Sequence, residues 1–145
     1  MHNVKHTLLK MGLVAVALTI TSVSVADIAV IVNTANSVSS LSDKDLKRIY
    51  LGNTSVLADG SAVTLADQAF GSPLREQFYL KCCEISAQQA RSRWAGILFS
   101  GTGKPPVEVG GDKEVISWVA GNKEAMGYVD NTLVDSSVKV LMILK

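Results

Sequence analysis

Five consecutive residues, Gly71-Ser72-Pro73-Leu74-Arg75, combine the signals of a helix start with a positive charge. The Ser72 hydroxyl can accept a hydrogen bond from a free backbone N–H, and Pro73 suits the first helical position, where no N–H is needed. Gly71 allows a sharp turn into the helix. Because a cation is unfavourable at this end of a helix unless an anion binds there, Arg75 predicts either an oxyanion site or a capped helix with a solvated arginine.

Residue types that support catalysis or metal binding are scarce after residue 26. Both histidines, His2 and His6, precede that point, so Ser72 has no evident base. The cysteines, Cys82 and Cys83, have no partners at the spacing of a metal site. We therefore predict that the protein is not an enzyme, with no catalytic residue, no metal ligand and no cofactor.

The two cysteines are adjacent, which limits what they can do. Export would permit a disulfide, but a bond between neighbours closes a strained ring and fits poorly inside a helix. We expect Cys82 to pack on the buried face of its helix as a small hydrophobic residue, and Cys83 to point elsewhere. Pairing of a free thiol with another chain stays open.

The first 26 residues have the pattern of a secretory signal peptide. Lys5 and Lys10 form a basic start, residues 11–20 are an apolar run, and the segment ends in Ser-Val-Ala, which suits a signal peptidase. The short run and the polar residues behind it disfavour an uncleaved membrane anchor. We predict a signal peptide at 1–26, one domain at 27–145 and a periplasmic location.

The charge balance excludes several classes of partner. The predicted signal carries two of the 14 Lys and Arg residues and none of the 13 Asp and Glu, which leaves 12 basic and 13 acidic side chains. This balance offers no basic surface for nucleic acid and no polybasic patch for a membrane. We therefore expect no nucleic-acid partner.

Strand and helix signals alternate along the predicted mature chain. Short apolar runs rich in β-branched residues predict strands at 27–32, 62–66, 126–129 and 138–144. Capping residues predict helices that begin at Ser42, Ser72, Ser86 and Asp112. This alternation predicts an α/β domain with a partly parallel sheet.

The order of these elements resembles the phosphate ABC transporter substrate-binding protein family. The pattern Leu-Ser followed by Leu-Lys-Arg-Ile-Tyr-Leu-Gly at 41–52 is similar to a recurrent family block. The helix start at Ser72 resembles the family motif Ser-Gly-Thr-Arg-x-x-Phe, and Ala-Met-Gly-Tyr-Val at 125–129 resembles its return strand. The resemblance implies a type 2 periplasmic-binding-protein-like fold, with three αβα layers, a mixed sheet and an oxyanion held at helix N-termini.

The sequence also departs from that family pattern. The motif's Gly-Thr is replaced by Pro73-Leu74, which removes a hydroxyl and a backbone donor, and Gln68 stands where the family usually has a phosphate-binding Arg. The family's transport receptors have two lobes that close on the ligand. Residues 27–145 are enough for little more than one lobe, so we expect a single-lobe member.

These observations lead to a predicted site and two candidate functions. The ligand-binding residues would be Gly71, Ser72 and Arg75, joined by Asn33 and Thr34 because ligands bind at the carboxyl ends of strands in open α/β sheets. The first function is an exported solute-binding-like protein that holds phosphate or a related oxyanion, within or derived from a phosphate uptake system with an ABC transporter permease.

The alternative is a periplasmic protein-interaction or sensory module that kept the fold and lost the ligand. Its partner would be an envelope protein or a second copy of the chain, forming a homodimer that completes the cleft.

Overall fold

The computed structural model describes residues 16–20 and 27–145. Within them the elements are β1 Ile28–Asn33, α1 Asp43–Tyr50, β2 Thr64–Gln68, α2 Pro73–Cys83, α3 Ala87–Ser100, β3 Val107–Gly110, α4 Asp112–Gly121, β4 Ala125–Asp130 and β5 Val138–Leu144. A short 3-10 helix at Asn131–Leu133 follows β4. None of the helices in these residues is long and apolar enough to span a bilayer. The predicted signal peptide lies outside the described residues apart from 16–20, and its cleavage stays a prediction.

The strands form one mixed sheet in the order β3-β2-β4-β1-β5. Strand β2 runs parallel to β3 and β4, whereas β1 runs antiparallel to β4 and β5. Met126 in β4 pairs both with Val32, near the end of β1, and with Leu65, near the start of β2. The carboxyl ends of β1 and β2 therefore lie at opposite ends of the sheet.

Helices cover both faces of the sheet, which gives the three αβα layers that the family resemblance implied. Every residue of β1 is buried, with alternate side chains entering two separate hydrophobic cores. Val30 joins the core beneath α1, α2 and α3, whereas Ile31 joins Val115 and Val119 of α4 on the other face. Because successive strand residues point to opposite faces, an unbroken apolar run suits a strand that is covered on both sides.

Most predicted helix starts are confirmed. Ser42, Ser72 and Ser86 each accept a hydrogen bond from the backbone N–H three residues on, and Ser86 completes a capping box. Helix α4 differs, because its N-cap is Gly111, and Asp112 is the first helical residue. Strand β3 was not predicted; it is a four-residue edge strand that follows two prolines, with its first two residues exposed and its last two half-buried.

Gly127 in the central strand β4 has no space for a side chain. A Cβ there would lie 2.7 Å from Val115 Cγ1 and 3.3 Å from Val119 Cγ2. We expect Gly127→Ala to destabilise the protein by about 1–3 kcal/mol, because α4 must move away from the sheet. Urea unfolding measures the change.

The control is the same substitution at Gly96 in α3, where a Cβ would meet nothing within 4 Å. Gly96→Ala should leave stability unchanged or raise it by about 0.5–1 kcal/mol, since Gly is unfavourable inside a helix. Equal stabilities of the two variants would contradict the close packing of α4 on β4.

Candidate functional site

The start of α2 lies directly beyond the carboxyl end of β2. Gly71 has φ of +90°, a conformation that favours glycine, and Pro73 is the first helical residue. The Ser72 Oγ accepts from the Arg75 N–H at 3.4 Å and donates to Gln68 Oε1 at 3.0 Å. Among the described residues, the backbone N–H groups of Gly71 and Leu74 have no hydrogen-bond acceptor. Two donors at the positive end of the helix dipole are therefore free to bind an anion.

Arg75 is buried, with 6% of its surface exposed, so the prediction of a solvated arginine is wrong. Its Nη1 donates to the Gln68 carbonyl at 2.7 Å and lies 3.4 Å from a Glu108 oxygen. Its Nη2 lies 3.5 Å from Asp67 Oδ2. Two carboxylates offset the desolvation of a guanidinium that water would otherwise solvate. Its Nε is shielded from solvent and has no partner among the described residues.

Asp67 is the centre of a buried polar cluster. The Tyr79 hydroxyl donates to its Oδ2 at 2.7 Å, and the Tyr128 hydroxyl donates to its Oδ1. Burial raises the pKa of Asp67 above its usual 3.8, while the two hydroxyls and the Arg75 guanidinium oppose that shift. Burial and the neighbouring carboxylate raise the pKa of both tyrosines. The tyrosines therefore remain neutral donors that hold Asp67 in place.

A cavity of about 240 Å³ lies beside the Arg75 guanidinium. Its polar and aromatic walls come from Asp67, Arg75, Tyr79, Arg91, Trp94 and Glu108. The guanidinium carbons of Arg75 and Arg91 lie 5.2 and 4.6 Å from the centroid of the Phe70 ring, within the range of a cation–π contact. The cavity thus offers charged groups of both signs to a small polar solute.

Sequence reasoning missed Asp67 and Glu108. They face each other across β2 and β3, where Asp67 pairs with Glu108 in parallel register. The chain contains other carboxylates, and nothing local distinguishes these two. Asp67 reaches Arg75 from the strand that precedes α2, whereas Glu108 does so only because β3 lies beside β2.

Asn33 and Thr34 do not join the other predicted site residues. The Asn33 Nδ2 donates to the carbonyls of Val119 and Ala120, at the end of α4, at 2.9 and 3.0 Å. Ser72 lies instead near the start of α4. Its hydrogen-bond partner Gln68 donates from Nε2 to Asp112 Oδ1, in the first turn of that helix, at 2.8 Å. The expectation of one shared site is corrected, because β1 runs antiparallel to β2.

The mixed sheet, its two helical layers and the capped helix beyond β2 form an α/β fold that is shared with solved phosphate ABC transporter substrate-binding proteins. The resemblance to phosphate ABC transporter substrate-binding proteins is confirmed at the level of the fold. A putative protein of that kind from Clostridium perfringens, solved with bound phosphate, matches 80% of this chain at a TM-score of 0.65 and 23% identity. An ABC-type phosphate transport receptor from Vibrio cholerae matches 81% of this chain at a TM-score of 0.63 and 21% identity. PstS from Borrelia burgdorferi matches 80% of this chain at a TM-score of 0.60 and 12% identity.

The chain spans less than half the length of these structures, 45%, 46% and 47% respectively. At such low identities the likeness shows the fold alone. Neither a protein-family model nor a curated protein sequence matches the chain.

Proposed function

We propose that this protein is an exported, periplasmic solute-binding protein that binds a small oxyanion, phosphate first among them, where α2 begins. The fold carries the proposal, because it is shared with proteins described as a phosphate-bound substrate-binding protein and a phosphate transport receptor. The protein serves, or derives from, a phosphate uptake system and contacts an ABC transporter permease. It binds its ligand without chemical change.

The chemistry of the helix start supports this site. The free N–H groups of Gly71 and Leu74 point from the positive end of the α2 dipole, a usual position for a bound anion. Ser72 can turn its hydroxyl from Gln68 to the ligand, and Arg75 in the first turn offsets the charge of the Asp67 and Glu108 carboxylates beside the site. Few backbone donors remain at this helix start, because the Ser72 N–H already donates to the Ala69 carbonyl and Pro73 has no N–H, and this favours weak binding.

Calorimetry with inorganic phosphate tests the proposal. We expect a Kd of about 1 mM, equivalent to about −4 kcal/mol. Ser72→Ala should weaken binding by about tenfold, because a hydrogen bond to a charged group contributes about 1.5 kcal/mol. Sulfate titrated in parallel shows whether the site distinguishes a protonated from an unprotonated oxyanion.

Ser86 provides the matched control, since it caps α3 as Ser72 caps α2. Both alanine variants should lose about 1 kcal/mol of stability, but only Ser72→Ala should lose phosphate affinity. The proposal fails if millimolar phosphate produces no heat, or if the two variants bind it equally.

A second candidate function is a periplasmic interaction or sensory module, and two observations favour it. Arg75 and Ser72 already have partners inside the protein. Large apolar side chains are also exposed on α3 and the edge strand β3, with Leu98 55%, Phe99 91% and Val107 45% exposed. A surface of this kind suits a second copy of the chain or an envelope protein.

Light scattering of the purified protein separates the two functions. The second one predicts a dimer at high concentration that Phe99→Ser converts to a monomer. A monomer that releases heat with phosphate favours the first function, and a dimer without that heat favours the second.

A further inference from the structure

The carboxyl end of α2 carries two thiols that the proposed oxyanion site does not use. Cys82 and Cys83 are the last residues of the helix, both are free, and they are 8% and 2% exposed. Their Sγ atoms lie 2.9 Å apart and share a hydrogen bond. The prediction that Cys83 points elsewhere is wrong, because both thiols turn into the protein and towards each other. Glu84 follows in the left-handed conformation, with φ of +59°.

The electrostatic surroundings favour loss of one proton from this pair. The hydrogen bond from Cys82 lowers the pKa of Cys83, and the charges of Lys47 and Arg93 act in the same direction against burial. The same hydrogen bond, together with burial, raises the pKa of Cys82. These shifts favour the thiolate on Cys83, and transfer of the shared proton from Cys82 to Cys83 along the hydrogen bond moves the negative charge to Cys82.

Cys82 lines a surface cavity, whereas Cys83 does not. The cavity has a volume of about 620 Å³, and its charged walls are Asp43, Lys44, Lys47, Lys81, Glu84 and Lys145. Four lysines against two carboxylates favour an anionic partner. A thiolate beside a positively charged cavity is the arrangement expected of a reactive cysteine.

We propose that Cys82 and Cys83 form a redox-active dithiol, which reacts with a small anionic disulfide and closes to a disulfide between neighbouring residues. The Cys82 thiolate attacks one sulfur of the external disulfide, forms a mixed disulfide and releases one thiolate. The Cys83 sulfur then attacks the Cys82 sulfur and displaces the second thiolate, which receives the proton held by the pair. The two cysteines are oxidised by two electrons, and the external disulfide is reduced to two thiols.

The resulting ring is expected to open again readily. Adjacent Cα atoms are about 3.8 Å apart, closer than the roughly 4.4–6.8 Å found in ordinary disulfides. Such strain makes a disulfide easier to reduce, as in regulatory or catalytic pairs. The end of α2 must rearrange when the ring forms, next to the 3.0 Å ion pair between Lys47 and Glu84.

Glutathione buffers with a rising fraction of disulfide test the proposal on the purified protein. After acid quenching and alkylation of free thiols, intact mass should show two alkylated thiols under reducing conditions. Under oxidising conditions it should show none, with a mass lower by two hydrogens and no glutathione attached. Two free thiols under all conditions, or only glutathione adducts and disulfide-linked dimers, would overturn the proposal.

Single variants test the order of the two steps. Cys83→Ser removes the second nucleophile, so a glutathione adduct should accumulate on Cys82. Cys82→Ser leaves only the more buried sulfur and should react at least about tenfold more slowly, because reactivity follows access. The reverse pattern would overturn the assigned order.

Two further measurements complete the test. The cationic disulfide cystamine should oxidise the wild type more slowly than glutathione disulfide at low ionic strength, and equal rates would overturn the role of the lysines. If the variants do not fold, a proteolytic fragment of the oxidised wild type that holds both cysteines in an internal disulfide still decides the proposal. A failure here leaves the oxyanion proposal intact, since that site lies at the other end of α2.

Discussion

Arg75→Met is expected to destabilise the protein by about 3–5 kcal/mol at neutral pH. The substitution keeps most of the side-chain volume but removes the cation that faces Asp67 at 3.5 Å and Glu108 at 3.4 Å. Asp67 is 3% exposed, so its carboxylate would be left buried without an opposite charge. Urea unfolding by circular dichroism gives the free energy of unfolding.

The loss should shrink as the pH falls. Burial raises the pKa of Asp67 and the Arg75 guanidinium holds it down, so removing Arg75 raises this pKa further. The folded variant then binds the proton more tightly than the unfolded chain does. That contribution to stability is complete below the unfolded pKa of 3.8 and is lost as the pH rises through the folded pKa. Acidification from neutral pH towards 3.8 should therefore bring the variant closer to the wild type.

Two variants serve as controls. Arg91→Met removes an exposed arginine from the same cavity and should change stability by no more than about 0.5 kcal/mol. Arg75→Lys keeps the charge but not the fork of donors, and should fall between the wild type and Arg75→Met. A small loss at Arg75, or one that grows on acidification, would contradict the ion pair with Asp67.

Local chemistry explains which parts of the fold could be predicted. The helix starts at Ser42, Ser72 and Ser86 each depend on one hydroxyl and the three residues after it, so the sequence alone can predict them. The apolar run of β1 predicts a strand buried on both faces for the same local reason. These elements in their order were enough to predict an α/β domain with a partly parallel sheet, and the family resemblance implied its three layers.

The composition of the site could not be predicted, because it depends on strand direction and on which strands are neighbours. Nothing in Asn33 or Thr34 reveals that β1 runs against β2, and that direction separates them from Ser72. The contact of Glu108 with Arg75 likewise needs β3 beside β2, where Glu108 pairs with Asp67. Such pairings are long-range properties of the sheet.

A layer of aromatic rings connects this polar cluster to the core. Phe78 stacks on Tyr128 with ring centroids 3.7 Å apart and an angle of 1° between their planes. It meets Tyr50 and Tyr79 edge-on, at 4.7 and 5.3 Å. Because Tyr79 and Tyr128 donate to Asp67, the position of Phe78 fixes the donors that hold the carboxylate beside Arg75.

Phe78→Ala is expected to destabilise the protein by about 3–5 kcal/mol, comparable with the loss at Arg75. Phe78 is fully buried, and its removal leaves a cavity among three tyrosine rings that cannot close without moving the Asp67 cluster. Urea unfolding measures the loss, and near-ultraviolet circular dichroism reports the loss of fixed tyrosine packing.

Leu80→Ala on the same helix is the control, because Leu80 is 51% exposed and should lose no more than about 0.5 kcal/mol. Because Phe78 packs on the tyrosines that donate to Asp67, we also expect its loss to be coupled to the loss at Arg75. In the double variant of Phe78→Ala and Arg75→Met, the losses should not add, since displaced tyrosines already weaken the contact between Asp67 and Arg75. A coupling of about 0.5–3 kcal/mol is typical of residues in one network. Additive losses would show instead that the aromatic layer and the ion pair stabilise the fold independently.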